Sequence, residues 1–497
     1  MMLSELLEDT RTVPSIDHEI SELSLDSRIG IDGAAFFALQ GSTLHGMRFA
    51  HQAIENGAVA IVHDGLATLP NDLPEGIGIA QLESPRGHLG NLAARFYNSN
   101  SAQSKVVAFT GTNGKTSCVL NFSSLANSSG LRSGVIGTLG WGYAEQLIST
   151  GLTTPDVFTV HRIVQAMNEQ GCEAIALEAS SHALDQGRLD GLDIGTAVFT
   201  NISRDHLDFH KNVDNYAAAK SRLFQRSEIE TAVINIDSDF AQRMIQPVCP
   251  SARLLSYSMS DAAADVFAEN IQLHEQGSRF DLRTPWGTDH FELNQMGRFN
   301  IANLLAVVAA LCAQGVRFDS LKEAVQQLET VPGRMQRVQV SSAKAPTTIV
   351  DYAHTPDALA QVLVAVSQHC SGKLWVVFGC GGDRDRGKRA EMAAVAETCA
   401  DQIVVTSDNP RSESPAQIIA DIVGGFAEGS SSAKHIHVEV DRKRAIEWAV
   451  GAAATEDCVV IAGKGHEKFQ IIGPAKIPFD DVQVATATLQ RRTEQCS

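Results

Sequence analysis

Residues 105–117 read Lys-Val-Val-Ala-Phe-Thr-Gly-Thr-Asn-Gly-Lys-Thr-Ser. A short apolar run enters a turn framed by Gly111 and Gly114, and a helical pattern opens at Lys115. A strand that passes to a helix through glycines commits the chain to a layered α/β unit, with the loop at the carboxyl end of a strand. Backbone N–H groups of Gly111, Thr112, Asn113, Gly114 and Lys115 can wrap phosphate oxygens, and Lys115 can neutralise them. The hydroxyl of Thr116 or Ser117 is then placed to reach Mg²⁺. Gly111 stands closer to Gly114 than the common Gly-x-x-x-x-Gly-Lys form allows. The loop predicts a nucleoside triphosphate ligand.

A chain of 497 residues is too long for one core and implies about two to four domains. The net charge of −18 argues against a nucleic-acid surface and gives weight to Lys and Arg found inside motifs. The nine cysteines are scattered and form no Cys-x-x-Cys pair. Reduced thiols in a cytoplasmic protein are expected, without a zinc site or disulfide frame. The acidic first residues lack a signal-peptide charge pattern, and the apolar run Ile301–Cys312 is too short to span a bilayer. No membrane insertion is expected.

Three segments follow. Residues 1–100 alternate short strands (Ala34–Leu39, Val59–His63, Gly78–Gln81) with helices (Phe49–Asn56, His88–Tyr97), and polar residues 98–104 read as a linker. Residues 101–331 carry strands ending in chemically loaded turns, at Glu178 and at Asn201–His206, which predicts a mainly parallel sheet with ligands at its carboxyl edge. Residues 332–497 repeat the α/β alternation, with strands at Thr347–Tyr352, Leu374–Phe378, Gln402–Thr406, His435–Val440 and Cys458–Ala462.

Glu178 leaves a strand where a Mg²⁺ carboxylate belongs, though an exposed loop glutamate reads as well. His206, taken singly, is a solvated or hydrogen-bonded histidine. Lys220 lies in Tyr216-Ala-Ala-Ala-Lys220 and reads first as a surface helical lysine. Its neutral amine could instead take up CO₂ to form a carbamate, an anionic oxygen ligand for a hard cation. Asn300 and Asn303 open a helix, either as base readers or as caps. Asp408-Asn-Pro-Arg411, Gly463-Lys-Gly-His-Glu467 and the Gly379–Arg386 turn each follow a strand of the last segment, which suits a zwitterionic small molecule.

Together these motifs resemble the Mur ligase family of ATP-dependent amide-forming enzymes, over the whole chain. The resemblance implies a three-domain α/β architecture: a UDP-sugar domain (1–100), a central P-loop parallel-sheet ATPase (101–331) and a Rossmann-like amino-acid domain (332–497). It assigns ATP to Gly111–Ser117, Asn300, Arg334 and Asp351. Mg²⁺ falls to Thr116, Glu178, His206 and Lys220 as carbamate (N6-carboxylysine), and catalysis to Lys115, Lys220, Glu178 and His206. Leu25, Ser27, Thr153, Thr154, Ser180, Gln186 and Arg188 match contacts to UDP-N-acetylmuramoyl-L-alanyl-D-glutamate. Arg384, Asp408, Asn409, Pro410, Arg411, Gly463 and Glu467 match a site for meso-2,6-diaminopimelate. A monomer acting in peptidoglycan precursor synthesis is implied. Two departures stand out: Leu152 precedes the Thr-Thr pair where some relatives have Asn, and Phe479-Asp-Asp-Val replaces an Asp-Arg-Glu pattern. A guanine-reading switch protein would carry Asn-Lys-x-Asp, and this sequence does not.

Overall fold

The computed structural model describes residues 1–41, 43–100, 104–144, 146–274, 276–340, 345–427 and 435–495. Residues 101–103 of the expected linker and Cys496 lie outside them.

In the first segment β1 (Glu22–Ser24), β2 (Ala34–Ala38), β3 (Ala58–His63) and β4 (Gly78–Gln81) pair in chain order, all parallel. Strand alternation sends Phe37 and Val62 into one apolar cluster and Phe36 and Ile61 into another, so both faces of the sheet are covered. Phe158, from the helix Val157–Glu169 of the next segment, completes the first cluster with its ring 4.7 Å from that of Phe37.

The central sheet has eleven strands: β5 (Lys105–Thr110), β6 (Ser133–Gly137), β7 (Gly140–Tyr143), β8 (Gln146–Ile148), β9 (Ala174–Glu178), β10 (Ile194–Phe199), β11 (Thr231–Asn235), β12 (Arg253–Ser258), β13 (Val266–His274), β14 (Gly277–Thr284) and β15 (Gly287–Leu293). Their order is β15-β14-β13-β12-β11-β10-β5-β9-β6-β7-β8. From β13 to β6 neighbours run parallel, but β13–β14–β15 and β6–β7–β8 are antiparallel meanders. The sheet is therefore mixed: its centre is parallel, as expected, and antiparallel hairpins extend it at both edges. Strands such as Gly140-Trp-Gly-Tyr143 carry two glycines in four residues and give little strand signal by themselves. The run Ile301–Cys312 forms most of the helix Arg298–Ala313, buried in the main core cluster.

The last segment holds β16 (Gln336–Arg337), β17 (Thr347–Asp351), β18 (Leu374–Phe378), β19 (Gln402–Val405), β20 (His435–Val438) and β21 (Cys458–Ala462) in the order β16-β17-β21-β18-β19-β20. All but β16 are parallel. A separate hairpin joins β22 (Phe469–Ile472) to β23 (Ala475–Pro478). Parallel strands share one direction, so the turns after β17, β18, β19 and β21 all open at one end. Among the described residues every cysteine is a free thiol, and no helix is long and apolar enough to cross a membrane.

Candidate active site

β5 lies between β10 and β9, so the phosphate loop, Glu178 and Asn201 emerge side by side. Gly111 (φ 155°) and Gly114 (φ 89°) are required there: a Cβ on Gly111 would sit 1.9 Å from Thr200 Oγ1 and 3.0 Å from the Asn201 carbonyl oxygen. The loop is braced from β10. Thr112 N–H donates to the Asn201 carbonyl (2.8 Å), Asn113 N–H donates to Asn201 Oδ1 (2.9 Å), and the Thr200 hydroxyl donates to the Asn113 carbonyl (2.6 Å). Two N–H groups expected to face phosphate are thus spent on the scaffold. That leaves the helix start at Lys115, Thr116 and Ser117, whose N–H groups have no acceptor within the helix.

Lys220 is not a surface lysine. It lies on the helix Val213–Ser221, is 1% exposed, and donates from Nζ to the Gly111 carbonyl at 2.7 Å, over the Tyr216 ring. Lys115 Nζ donates to the same carbonyl and to that of Thr112, both at 2.9 Å. Burial, with Lys115 alongside, pulls Lys220 well below the ordinary lysine range, and Asp205 only partly opposes it. Burial lowers Lys115 as well, against Glu178 and Asp205. Two ammonium groups sharing one buried carbonyl repel, so the geometry favours Lys220 as a neutral amine, the form that reacts with CO₂.

Glu178 is 1% exposed; its carboxylate accepts from Thr138 N–H (2.8 Å) and from the Thr138 hydroxyl (3.2 Å). His206, in left-handed backbone (φ 52°), stands at the crevice beside Asp205. Its side chain is 47% exposed. The half that the protein covers pulls its pKa down to about 4, with Asp205 opposing and His182 and the two lysines adding. Neutral imidazole is the form that ligates metal. Among the described residues no cluster of three His, Cys, Asp or Glu could hold a metal. As an ammonium Lys220 is no ligand for a cation, so a hard cation beside Glu178, His206 and the Thr116 hydroxyl would call for its carbamate.

Lys115, Thr116, Glu178 and His206 line a crevice of about 480 Å³, shared with Asn303, Arg334, Asp351, Tyr352 and His354, while Lys220 lies beneath the phosphate loop on the Gly111 carbonyl. Arg334 lies over the Tyr352 ring (4.5 Å) and reaches the Thr116 hydroxyl (3.4 Å). Asp351 accepts from the N–H groups of Met335 and Ala353, both at 2.7 Å, and burial raises its pKa against Arg334. Asn303 forms the wall beside Gly114; Asn300 sits behind it, donating to the Met296 carbonyl.

The residues matched to the nucleotide-sugar peptide fall in two places. Ser27 donates to Gln52 Oε1 in the first segment, with Leu25 packed nearby against that segment's core. Thr154, Ser180, Gln186 and Arg188 form one network reaching the backbone of Glu178. The Thr154 hydroxyl donates to the Glu178 carbonyl (2.6 Å), and Arg188 donates to the Thr154 carbonyl and to Gln186 Oε1. Thr153 accepts from the Thr138 hydroxyl, while Leu152 is half exposed.

In the last segment Asp408 and Asn409 are buried, and Gly463 (φ 114°) would place a Cβ 2.8 Å from Asp408 Oδ2. Arg411, after Pro410 and in left-handed backbone, donates to the Gly382 carbonyl; Arg384 leans on Asp383. The turn after β21 touches the crevice wall at Tyr352, whose ring is 5.1 Å from that of His466, and at Gly465, packed against Gly333 and Tyr352. Two features are not evident from the sequence. Lys464 is fully buried and bridges Asn409 and Glu467. The altered tail has a partner: Asp481 forks onto buried Arg442, which also donates to the carbonyls of Ala462 and Ser407. The glycines around Lys464 are its only sequence signal.

The chain belongs to the Mur ligase family: it matches the Mur ligase family catalytic domain over residues 19–97, the Mur ligase middle domain over 109–311 and the Mur ligase glutamate ligase domain over 333–465. Within that class it is similar to a protein of Coxiella burnetii described as UDP-N-acetylmuramoyl-L-alanyl-D-glutamate–2,6-diaminopimelate ligase. The two are 43% identical over 491 residues, covering 98% of this chain and 99% of the relative. A Xylella fastidiosa protein of the same description is 43% identical across 100% of this chain and 98% of its own length. A solved structure of a UDP-N-acetylmuramoyl-L-alanyl-D-glutamate–2,6-diaminopimelate ligase superposes with a TM-score of 0.68 at 36% identity, covering 95% of each chain. Folylpolyglutamate synthase from Mycobacterium tuberculosis shares the fold at 16% identity over 80% of this chain, with a TM-score of 0.61.

Proposed function

We propose that this enzyme uses ATP to join meso-2,6-diaminopimelate to the D-glutamate of UDP-N-acetylmuramoyl-L-alanyl-D-glutamate. The observation that carries the reading is the contact between two sites. The crevice under the phosphate loop is walled by Arg334 and Tyr352, and Tyr352 in turn abuts His466 and Gly465, in the turn that carries Glu467 beside Asn409. Full-length relatives carrying that description support the choice of substrates. Segments 1–100, 101–331 and 332–497 then serve the nucleotide sugar, ATP and the amino acid. ATP and a nucleotide-linked substrate suit a monomeric cytoplasmic enzyme.

The reaction has two steps. The D-glutamate carboxylate attacks the γ-phosphorus of ATP and expels ADP, giving an acyl phosphate. The diaminopimelate amine then attacks that carbonyl carbon, loses a proton and expels phosphate. The first step brings anion to anion, and Lys115 at the loop offsets the repulsion. Mg²⁺ held by Glu178, His206, Thr116 and the Lys220 carbamate would supply further positive charge at the phosphates. The helix start at Lys115–Ser117 aligns the triphosphate, while Thr154, Ser180 and Arg188 hold the peptide end beside Glu178. Burial of the crevice between segments keeps water from the acyl phosphate.

Arg411 selects the amino acid, because its guanidinium can fork onto the distal carboxylate that lysine lacks. An unpaired charge in the closed pocket costs roughly 2–5 kcal/mol. Phosphate release measured with the UDP-sugar dipeptide and a panel of amino acids should show strong preference for meso-diaminopimelate; equal kcat/KM with L-lysine refutes the reading.

A further inference from the structure

Lys464 is 0% exposed, yet it has no place in the phosphate chemistry. Its Nζ donates to Glu467 Oε2 (2.8 Å) and to Asn409 Oδ1 (3.1 Å), with Asp408 Oδ1 at 3.8 Å. Asn409 Nδ2 donates to the same Glu467 Oε2 at 2.8 Å, and Asn409 Oδ1 also accepts from Ile471 N–H at 2.9 Å. Two consequences follow. The Asn409 carbonyl oxygen already holds two donors, which is its full capacity. Glu467 has both donors on Oε2, so among the described residues Oε1 accepts no hydrogen bond.

We infer that Lys464 is a positioning and specificity-determining residue. It pins Glu467 by one oxygen so that the other is the acceptor for the distal ammonium of the incoming amino acid, and it occupies the Asn409 carbonyl oxygen so that this amide can meet the substrate only through its second N–H. This rests on the proposed amino-acid pocket. Charge supports it: Asp408 and Glu467 bring two negative charges and Lys464 one positive, so the cluster keeps one negative charge for one substrate ammonium. Without Lys464 the carboxylates of Asp408 and Glu467 would repel, and Glu467 would be free to rotate. A buried lysine with three anionic or carbonyl partners also loses no chain entropy when substrate binds, which is the advantage of a preformed acceptor. His466, Lys468, Tyr352 and Arg442 are the other titratable groups near Glu467, and Lys464 is foremost among those that hold its carboxylate low against burial.

The test uses the full-length enzyme with ATP, Mg²⁺, the UDP-sugar dipeptide and meso-diaminopimelate. Lys464→Gln should raise KM for diaminopimelate by about tenfold or more while KM for ATP and for the nucleotide sugar stay within about twofold. The acid limb of kcat/KM for diaminopimelate should move to higher pH in this variant, because Glu467 has lost its cation. A uniform rise of all three KM values, or an unmoved acid limb, overturns the inference. Should Lys464→Gln fail to fold, the wild-type enzyme decides. The acid limb that Glu467→Gln abolishes must lie below the ordinary glutamate range, and a limb at or above that range overturns the role of Lys464. If wild-type enzyme prefers another amino acid in the panel, the substrate reading fails, and the same comparison run with that amino acid still tests Lys464.

Discussion

Removing the Asp481 carboxylate, as in Asp481→Ala, should unfasten the amino-acid pocket from beneath. Arg442 and Asp481 are both fully buried and joined by two bonds, Nε to Oδ1 at 2.8 Å and Nη2 to Oδ2 at 2.7 Å. The guanidinium also donates to the carbonyls of Ala462 (2.9 Å) and Ser407 (3.4 Å). Those residues directly precede Gly463 and Asp408, so one cation fastens the ends of the two pocket turns. Taking away only the carboxylate leaves an uncompensated buried charge, which costs about 3–5 kcal/mol. With a urea m-value of about 2 kcal/mol per molar, the midpoint for the last segment should fall by about 1.5–2.5 M. Fluorescence of Trp375 and Trp448, whose rings lie 5.6 Å apart in that segment, follows the transition. KM for the amino acid should rise with it. The double variant Arg442→Met/Asp481→Leu removes both charges and should recover to within about 1 kcal/mol of wild type. A loss under about 1 kcal/mol in Asp481→Ala, or a double variant as unstable as the single one, refutes the reasoning.

Two further outcomes are expected. Lys220→Ala should be nearly inactive, by about 100-fold or more in kcat, and partly rescued by a short-chain carboxylate that replaces the carbamate oxygen; full activity of the unrescued variant would sink that role. Buried His161 is held neutral: burial lowers it to about 4, with Nδ1 paired to the Ser99 hydroxyl and Nε2 to the Asp190 carbonyl. Its folded pKa is depressed, so the unfolded chain binds the extra proton between pH 6.5 and 4. The stability it contributes is complete above pH 6.5 and declines by about 3 kcal/mol as pH falls toward 4. Urea midpoints across that range should fall less steeply in His161→Gln, and parallel slopes would show that His161 is not the titrating group.

Features that depend on neighbouring residues are legible in the amino-acid sequence. Gly111, Gly114 and Lys115 follow an apolar strand within a few residues, and strand-to-turn endings at Glu178, Asn201, Asp408 and Gly463 announce themselves by local pattern. Parallel strands point one way, so those endings have to meet at carboxyl edges. The antiparallel meanders β6–β8 and β13–β15 are not legible in this way, because edge pairing is decided by cross-strand partners and not by the strand's own residues.

The amino-acid sequence by itself determined the family, the α/β layering and which residues stand at the strand ends, since these are properties of short segments. The tertiary structure alone decided the charge states. Lys220 reads as a solvated lysine on its helix, and only its approach to Gly111 and Lys115 makes it a buried amine whose charged form burial and like charge disfavour. Lys464, Arg442 and Asp481 gain their roles in the same way, because the cost of burying a charge is set by partners brought together from distant segments.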